Sequence, residues 1–152
     1  MGDKIIKTLY LDVCLLCRPF DDQQAMRIRL ETDCYHLIMQ AIHEKQYRLM
    51  RSPVHDVEIG AISTMLERIE LQVLLTRYGT ACQGNGIPLR QRAAWLHEQG
   101  MGLGDAAHVA YAEVCSDLLL TCDDRLIKLC RRLSVSIPVM SPIEFCLEED
   151  LR

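Results

Sequence analysis

The chain is poor in aromatic residues, which make up 5% of its 152 positions. Its core therefore has to be built from aliphatic side chains, mainly leucine, isoleucine, valine, methionine and alanine. It also lacks any run of about 18 apolar residues, so we expect no membrane-spanning segment. The first residues contain neither an apolar stretch nor a small-residue cleavage site, and we therefore expect a cytoplasmic protein.

A second pair of closely spaced cysteines is also missing. Of the eight cysteines, Cys14 and Cys17 alone form a Cys-x-x-Cys pair, whereas a structural zinc site needs four ligands. In the absence of an export signal, the cysteines are better interpreted as free thiols packed among apolar residues than as disulfides. We therefore expect neither a zinc ribbon nor a disulfide scaffold.

An excess of positive charge is absent as well, because the formal net charge is −4. Broad electrostatic binding to nucleic acid is therefore not favoured. A nuclease remains compatible with this charge, since an acidic metal site contributes negative charge and bound metal reverses the local sign. The length fits one domain with one core, which we take to cover residues 1–152.

Buried and amphipathic segments follow one another in the order β-α-β-α-α-α-α-β-α-β. Strands are predicted over residues 5–11, 47–51, 118–121 and 135–139, the last at a sheet edge because it contains proline. Helices are predicted over residues 23–44, 63–78, 89–98 and 105–115, with two more beginning at Ser52-Pro53 and at Asp123, and a loop over 79–88. This order predicts a three-layer α/β/α fold with a mainly parallel sheet of four to five strands.

Four acidic residues lie where such a fold collects ligands, at strand ends and helix starts: Asp12, Glu58, Asp105 and Asp123. Each one alone is explained as a helix cap, a turn residue or a helix-dipole partner. Together they predict a divalent metal site, because uncompensated carboxylates repel one another and raise one another's pKa. Hard cations such as Mg²⁺ or Mn²⁺ prefer such oxygen ligands.

Four segments of the chain resemble, in order, the four motifs of the PIN-domain family. They are Leu9-Tyr10-Leu11-Asp12, Ser52-Pro53-Val54-His55-Asp56-Val57-Glu58, Gly104-Asp105-Ala106-Ala107-His108-Val109-Ala110 and Leu120-Thr121-Cys122-Asp123-Asp124. Residues 18–22 and 141–145 are also similar to a bacterial branch of that family, which includes VapC-like toxins and PilT N-terminus-like proteins. The resemblance covers nearly the whole chain, and the ordered set is far more specific than any single motif.

The resemblance implies a metal-dependent endoribonuclease that is often the toxin of a VapBC-type toxin–antitoxin pair. It implies RNA as substrate, an antitoxin protein as partner and, for many members, a homodimer. Asp12 and Asp105 would be the main ligands of Mg²⁺ or Mn²⁺, and Glu58 and Asp123 would be further ligands or their hydrogen-bonded neighbours. Thr121 would orient a carboxylate or a water. The ions would activate water for attack on the phosphodiester and stabilise the leaving oxygen.

Several other side chains have two interpretations each. Asp56 competes with Glu58 for the position in the site, and Asp124 is either an auxiliary metal group or a cap. Arg18 is a candidate contact to RNA phosphate, although solvated surface charge is the default for such a residue. His108 either faces the cleft beside the acids or packs in the core, and the second is the commoner use of a histidine on an apolar helix.

Val13, Cys14 and Cys17 occupy positions where the family or this branch commonly has Asn. This departure leaves a second function open, a PIN-fold module with weakened catalysis that binds RNA or a protein partner. A receiver-type or flavodoxin-like domain is a third hypothesis, since it also uses acids at strand ends. It is disfavoured because Asp12 has no acidic neighbour and the strand spacing is different.

Overall fold

The computed structural model describes residues 4–84 and 86–152. Residues 1–3, where the predicted domain begins, and Asn85, in the loop predicted over residues 79–88, lie outside this description. The central sheet consists of β1 (Lys7–Leu11), β2 (Tyr47–Arg51), β3 (Gly79–Ala81), β4 (Leu118–Leu120) and β5 (Val139–Met140). All four strand pairings are parallel, and the spatial order is β3-β2-β1-β4-β5.

Helices cover both faces of this sheet. They are α1 (Val13–Leu16), α2 (Met26–His43), α3 (Pro53–Gly60), α4 (Met65–Tyr78), α5 (Ile87–Glu98), α6 (Leu103–Cys115), α7 (Asp124–Arg132) and α8 (Pro142–Glu148), with a 3₁₀ turn at Arg18–Phe20. The predicted three-layer α/β/α architecture is confirmed. Within the described ranges, no helix combines the length and the apolar character needed to cross a bilayer.

Side chains alternate between two cores along the central strands. Leu9, Leu11 and Leu120 point to one face, where α1 to α4 and α8 pack. Tyr10 and Leu119 point to the other face, which α5, α6 and α7 cover. Successive residues of a strand point to opposite faces, so a strand buried on both sides has to be apolar throughout, as β1 and β4 nearly are.

The parallel register brings several strand ends to one edge of the sheet. Leu11 pairs with Leu120, so Asp12 and Thr121 follow their strands at the same level. The backbone N–H of Asp12 still donates to the carbonyl of Leu120, at 2.9 Å. Ser52 follows β2 at the same edge and begins α3. The fold therefore places these polar residues together before any of their side-chain contacts are considered.

Several predicted boundaries differ from the structure, and three differences matter most. The sequence predicts a loop over residues 79–88, but Gly79–Ala81 forms the edge strand β3. Because this strand is short and largely exposed, its sequence shows no apolar pattern. It is defined by the backbone pairing with β2 alone. The last strand is Val139–Met140 instead of 135–139. The long helix begins at Met26 instead of residue 23, and the side chain of Asp22 caps a turn before it by accepting from the N–H of Gln24.

The helix α4 turns a different face to the core than its apolar residues suggest. Leu71 and Leu75 are buried. Leu66, Ile69 and Val73, which recur at helical spacing, are 66%, 46% and 60% exposed. Because α4 carries apolar residues on more than one side, periodicity alone could not decide which of them face the sheet.

Removing one leucine from the sheet tests this account of the core. Leu119 is fully buried between β4 and the helices of its face, whereas Leu147 on α8 is 77% exposed. We expect Leu119→Ala to lower the free energy of unfolding by about 2–5 kcal/mol, because it removes apolar contacts and leaves a cavity. Leu147→Ala is the matched control and should change it by less than about 0.5 kcal/mol. Urea denaturation measures both, and equal losses would contradict the assignment.

Candidate metal centre

Asp12 lies at the end of β1 and is almost completely buried, with 5% of its surface exposed. Its Oδ2 atom accepts a hydrogen bond from the hydroxyl of Thr121, at 2.8 Å, and a weaker one from the thiol of Cys14, at 3.3 Å. The same Thr121 oxygen accepts from the backbone N–H of Asp123, at 3.1 Å. Asp12 is therefore held through one carboxylate oxygen, and its Oδ1 atom is left for another contact.

The thiol of Cys14 takes part in the contacts of Asp12, at one of the positions where the sequence differs from the family motif. It stands two residues after Asp12, where the family commonly has Asn, and its thiol contacts both Asp12 and Thr121. A thiol is a weaker donor than an amide, but it still donates to this carboxylate. The Asp12 carboxylate therefore has a second donor besides Thr121.

Glu58 reaches the site from α3. That helix begins with a capping box, in which Ser52 accepts from the backbone of Val54 and His55 accepts from the backbone of Ser52. Glu58 follows one turn later, is half-buried, and its Oε2 atom lies 3.0 Å from Nε2 of His108. The rival residue Asp56 is exposed, so its side chain does not join this group.

The close approach of α6 to α3 depends on a glycine. A Cβ atom at Gly104 would lie 2.8 Å from Oε1 of Glu58, which is too short for an ordinary contact. Any side chain at this position would therefore displace the Glu58 carboxylate from its place. Gly104 lies in the first turn of α6, and at this position the lack of a side chain leaves room for the Glu58 carboxylate.

His108 lies in this group of acids, whereas the sequence favoured a packed core position for it. Its side chain is buried, 1% exposed, as a core histidine would be. Its Nε2 atom nevertheless lies 3.0 Å from Glu58 and 3.8 Å from Oδ1 of Asp12. One ligand atom from each of Asp12, Glu58 and His108 can be chosen so that all lie within 4.8 Å of one another. The sequence feature that indicates this placement is the spacing of three residues between Asp105 and His108, which puts both on one side of the helix.

Buried hydrogen bonds hold the His108 ring on the side opposite Nε2. Its Nδ1 atom lies 2.5 Å from the hydroxyl of Tyr10, which in turn lies 2.7 Å from Oγ of Ser52. Next to these hydrogen bonds, His55 contacts the carbonyl of Leu11 through Nε2, at 2.7 Å. Burial, followed by the neighbouring His108, lowers the pKa of His55 to about 4, so this second ring stays neutral. Sequence reasoning missed Tyr10, Ser52 and His55, although Tyr10 is the one aromatic residue of an aliphatic strand.

Asp105 lies beside this group on the first turn of α6. The helix begins at Leu103 with Gly102 as its N-cap, so Asp105 is not the cap that its position in the sequence suggested. It is half-buried, and its pKa is raised to about 6 by burial and then by the carboxylates of Asp12 and Asp123. Such repulsion is relieved when a cation binds between the carboxylates.

Asp123 is the most exposed of the four acids. It is the N-cap of α7, and its Oδ1 atom accepts from the backbone N–H groups of Arg125 and Leu126. With Asp105 it lines a cleft of about 660 Å³. Basic side chains of α7 line the same cleft: Arg125, Lys128 and Arg132. The structure therefore groups Asp12, Glu58 and His108 tightly and places Asp105 and Asp123 between them and an open cleft.

Two other candidate residues are engaged in ion pairs. The guanidinium of Arg18 contacts the buried Glu31 at 3.1 Å and Asp21 at 2.8 Å. Asp124 is exposed and receives two hydrogen bonds from Arg27, at 2.7 and 2.8 Å. These contacts join the 3₁₀ turn and the start of α7 to α2. The predicted contact between Arg18 and RNA and the predicted auxiliary role of Asp124 stay predictions.

Comparison with known proteins supports the fold. The structure is similar to that of FitAcB from Neisseria gonorrhoeae, with a TM-score of 0.52 and 14% sequence identity over 88% of this chain and 97% of that chain. FitAcB contains a VapC-like PIN domain, so the match confirms the PIN-like fold that the motifs implied. No protein-family model and no curated protein matches the chain. At this identity the likeness establishes the fold, and function has to be argued from the site.

The raised pKa of Asp105 makes stability depend on pH in the metal-free protein. Its pKa is about 6 when folded, against an ordinary value of 3.8. The folded state therefore binds this proton more tightly than the unfolded state does. Between about pH 4 and about pH 6, its contribution to the free energy of unfolding falls as the pH rises. Urea denaturation in EDTA across this range measures the effect.

The control for this prediction is a pair of isosteric substitutions. Asp105→Asn removes the titrating group and should flatten this part of the pH dependence, while Asp56→Asn, at an exposed position of α3, should leave it in place. If the wild type and Asp105→Asn lose stability in parallel between these pH values, the assignment of the raised pKa to Asp105 is wrong.

Proposed function

We propose that residues 1–152 act as one PIN domain with the activity of a divalent-metal-dependent endoribonuclease, and that it is the cytoplasmic toxin of a toxin–antitoxin pair. The observation that carries the proposal is the convergence of Asp12, Glu58 and Asp105 at the carboxyl edge of a parallel, PIN-like sheet. The eight cysteines are all free thiols, which is compatible with a reducing compartment.

The residues of this edge fit a hard divalent cation. Asp12, Glu58, Asp105 and Asp123 would hold Mg²⁺ or Mn²⁺. Carboxylates supply the oxygen ligands, and the pKa of Asp105 is raised by burial and by the neighbouring carboxylates of Asp12 and Asp123. When bound, such an ion supplies an activated water and stabilises negative charge on the leaving oxygen. PIN nucleases typically leave a 5′-phosphate and a 3′-hydroxyl, and we extend this outcome to the chain by analogy.

The chain's own side chains prepare the site for this chemistry. Thr121 and Cys14 hold Oδ2 of Asp12, which leaves Oδ1 facing His108 and the other carboxylates. Burial of Asp12 and half-burial of Asp105 exclude much of the surrounding water and strengthen electrostatic interactions at the site. Orientation and charge are therefore set by the folded protein before substrate arrives.

The basic side of α7 fits the phosphate backbone of RNA better than Arg18 does. Arg125, Lys128 and Arg132 recur at helical spacing, are exposed, and line the cleft with Asp105. Among the residues the structure describes, none of these three basic side chains forms an ion pair. Contacts to phosphate position a nucleic acid without reading its sequence, so this side of α7 is suited to bring a phosphodiester to the acids.

The nuclease hypothesis predicts a specific pattern of loss. Purified protein should cleave single-stranded RNA in the presence of Mg²⁺ or Mn²⁺. Asp12→Asn and Asp105→Asn should each lower the rate at least about 100-fold, because each removes a carboxylate that holds the ion. Asp56→Asn, on the exposed side of α3, should leave the rate unchanged. Gel analysis of a labelled RNA measures the three variants under identical conditions.

Chelation provides the second control for this assay. EDTA should stop cleavage, and added Mn²⁺ should restore it. Cleavage that survives EDTA and both active-site substitutions would come from a contaminant and would sink the proposed mechanism.

The alternative function is a PIN-fold module with weakened catalysis that binds RNA or a protein. Val13, Cys14 and Cys17 motivate it, because the family commonly has Asn at such positions. The contact between Cys14 and Asp12 argues against a collapsed site. Binding of RNA without cleavage by protein that binds Mn²⁺ would favour the alternative, and metal-dependent cleavage would exclude it.

An antitoxin partner is the third element of the proposal, and α4 offers a surface for it. Leu66, Ile69 and Val73 form one exposed apolar stripe along this helix. Apolar side chains at such spacing usually face another helix or another chain. We propose that the antitoxin covers this stripe, with a second copy of the chain as the competing occupant.

Co-expression tests the partner. A small open reading frame directly upstream should encode a protein that co-purifies with the chain and inhibits RNA cleavage. Leu66→Glu on the stripe should disrupt the complex, because it places a charge in an apolar interface. Val114→Glu, at an exposed position of α6, should not. If Leu66→Glu leaves the complex intact but converts a dimer to a monomer in light scattering, the stripe is a homodimer interface instead.

A further inference from the structure

We propose that His108 is itself a metal ligand, and that the centre is therefore a mixed carboxylate–imidazole site that prefers a divalent transition-metal ion such as Mn²⁺ to Mg²⁺. The proposal deepens the proposed function and rests on it. It starts from one atom, Nε2 of His108, which faces Asp12 and Glu58 at the sheet edge.

This nitrogen is buried without a hydrogen-bond partner among the described residues. It lies 3.0 Å from Oε2 of Glu58, but the ring N–H direction does not meet the geometry of a hydrogen bond to that oxygen. Oδ1 of Asp12 is 3.8 Å away, beyond hydrogen-bond distance. Buried ring nitrogens are rarely left unpaired. One potential ligand atom from each of these three residues lies within 4.8 Å of the others, close enough for all three to bind one ion.

The other side of the ring is held in a way that suits a metal ligand. Nδ1 of His108 contacts the hydroxyl of Tyr10, which contacts Oγ of Ser52. A phenol keeps its proton at neutral pH, so Tyr10 can donate to Ser52 while its oxygen accepts the Nδ1–H of His108. Nε2 then has a lone pair available for a metal ion, as in metal-bound histidines whose second nitrogen is fixed by a hydrogen bond.

The donor set determines which ions are preferred. Mg²⁺ is bound through oxygen atoms and gives up its water reluctantly. Imidazole suits ions of the first transition series, and affinity within that series rises from Mn²⁺ onwards. Two carboxylates with one imidazole therefore favour a transition ion over Mg²⁺. Mn²⁺ is the natural probe because its unpaired electrons report directly on nitrogen ligands.

The test is pulsed electron paramagnetic resonance on the full chain with one equivalent of Mn²⁺. We expect a coupling between Mn²⁺ and a histidine nitrogen, which changes as expected when histidine is labelled with ¹⁵N. Calorimetry should show Mn²⁺ binding at least about 10-fold more tightly than Mg²⁺. His108→Gln should abolish the nitrogen coupling and weaken Mn²⁺ binding about 10- to 100-fold.

His55→Gln is the matched control. His55 is equally buried and lies next to His108, but its two nitrogens contact the backbone of Ser52 and Leu11. This variant should keep the nitrogen coupling. Because the ¹⁵N experiment on the wild type needs no substitution, the proposal stays testable even if His108→Gln fails to fold.

The outcomes separate this proposal from the proposed function. Mn²⁺ bound without nitrogen coupling overturns the role of His108, and RNA cleavage by the same sample would leave the nuclease standing. Nitrogen coupling in a sample that does not cleave RNA supports the mixed centre and counts against the nuclease. A wild type that binds no Mn²⁺ overturns the mixed centre outright.

Discussion

The hydroxyl of Tyr10 is the contact on which the geometry of the site depends. It lies inside the protein, between His108 of α6 and Ser52 at the start of α3, and it belongs to the central strand β1. A buried phenol needs such partners, because an unpaired hydroxyl in an apolar core is costly. Three elements from distant parts of the chain are thereby fixed to one another. The positions of Glu58 and His108 relative to Asp12 follow from this single point.

Several carboxylates lie close together near this hydroxyl, and each has its own contacts with the surrounding protein. Asp12 is held by Thr121, Asp123 caps α7, and Glu58 is accommodated beside the bare backbone of Gly104. Within the described part of the chain, none of these carboxylates forms an ion pair with an arginine or lysine. A fold that keeps carboxylates together without a protein cation is suited to take up a metal ion.

The layers of the fold and the four acids were predictable because they rest on local signals: continuous apolar strands, helix caps and ordered motifs. The strand Gly79–Ala81 was not, since its residues carry no apolar pattern and only pairing with β2 defines it. The orientation of the His108 side chain towards the acids could not be predicted for a similar reason. Its sequence neighbours show a buried helix, but Tyr10 and Ser52, which orient its ring, lie far away in the chain. Periodicity predicts burial, whereas the direction of a polar group depends on distant partners.

The separation of these partners along the chain has a consequence for synthesis. The hydrogen bond from Thr121 to Asp12 spans 109 residues, and the contact between His108 and Tyr10 spans 98. A ribosome therefore completes Asp12 and Glu58 long before the residues that orient them exist, and contacts between such distant residues form only after both have emerged. For the proposed nuclease, this order of assembly would keep the nascent chain inactive towards its own message until translation is nearly finished.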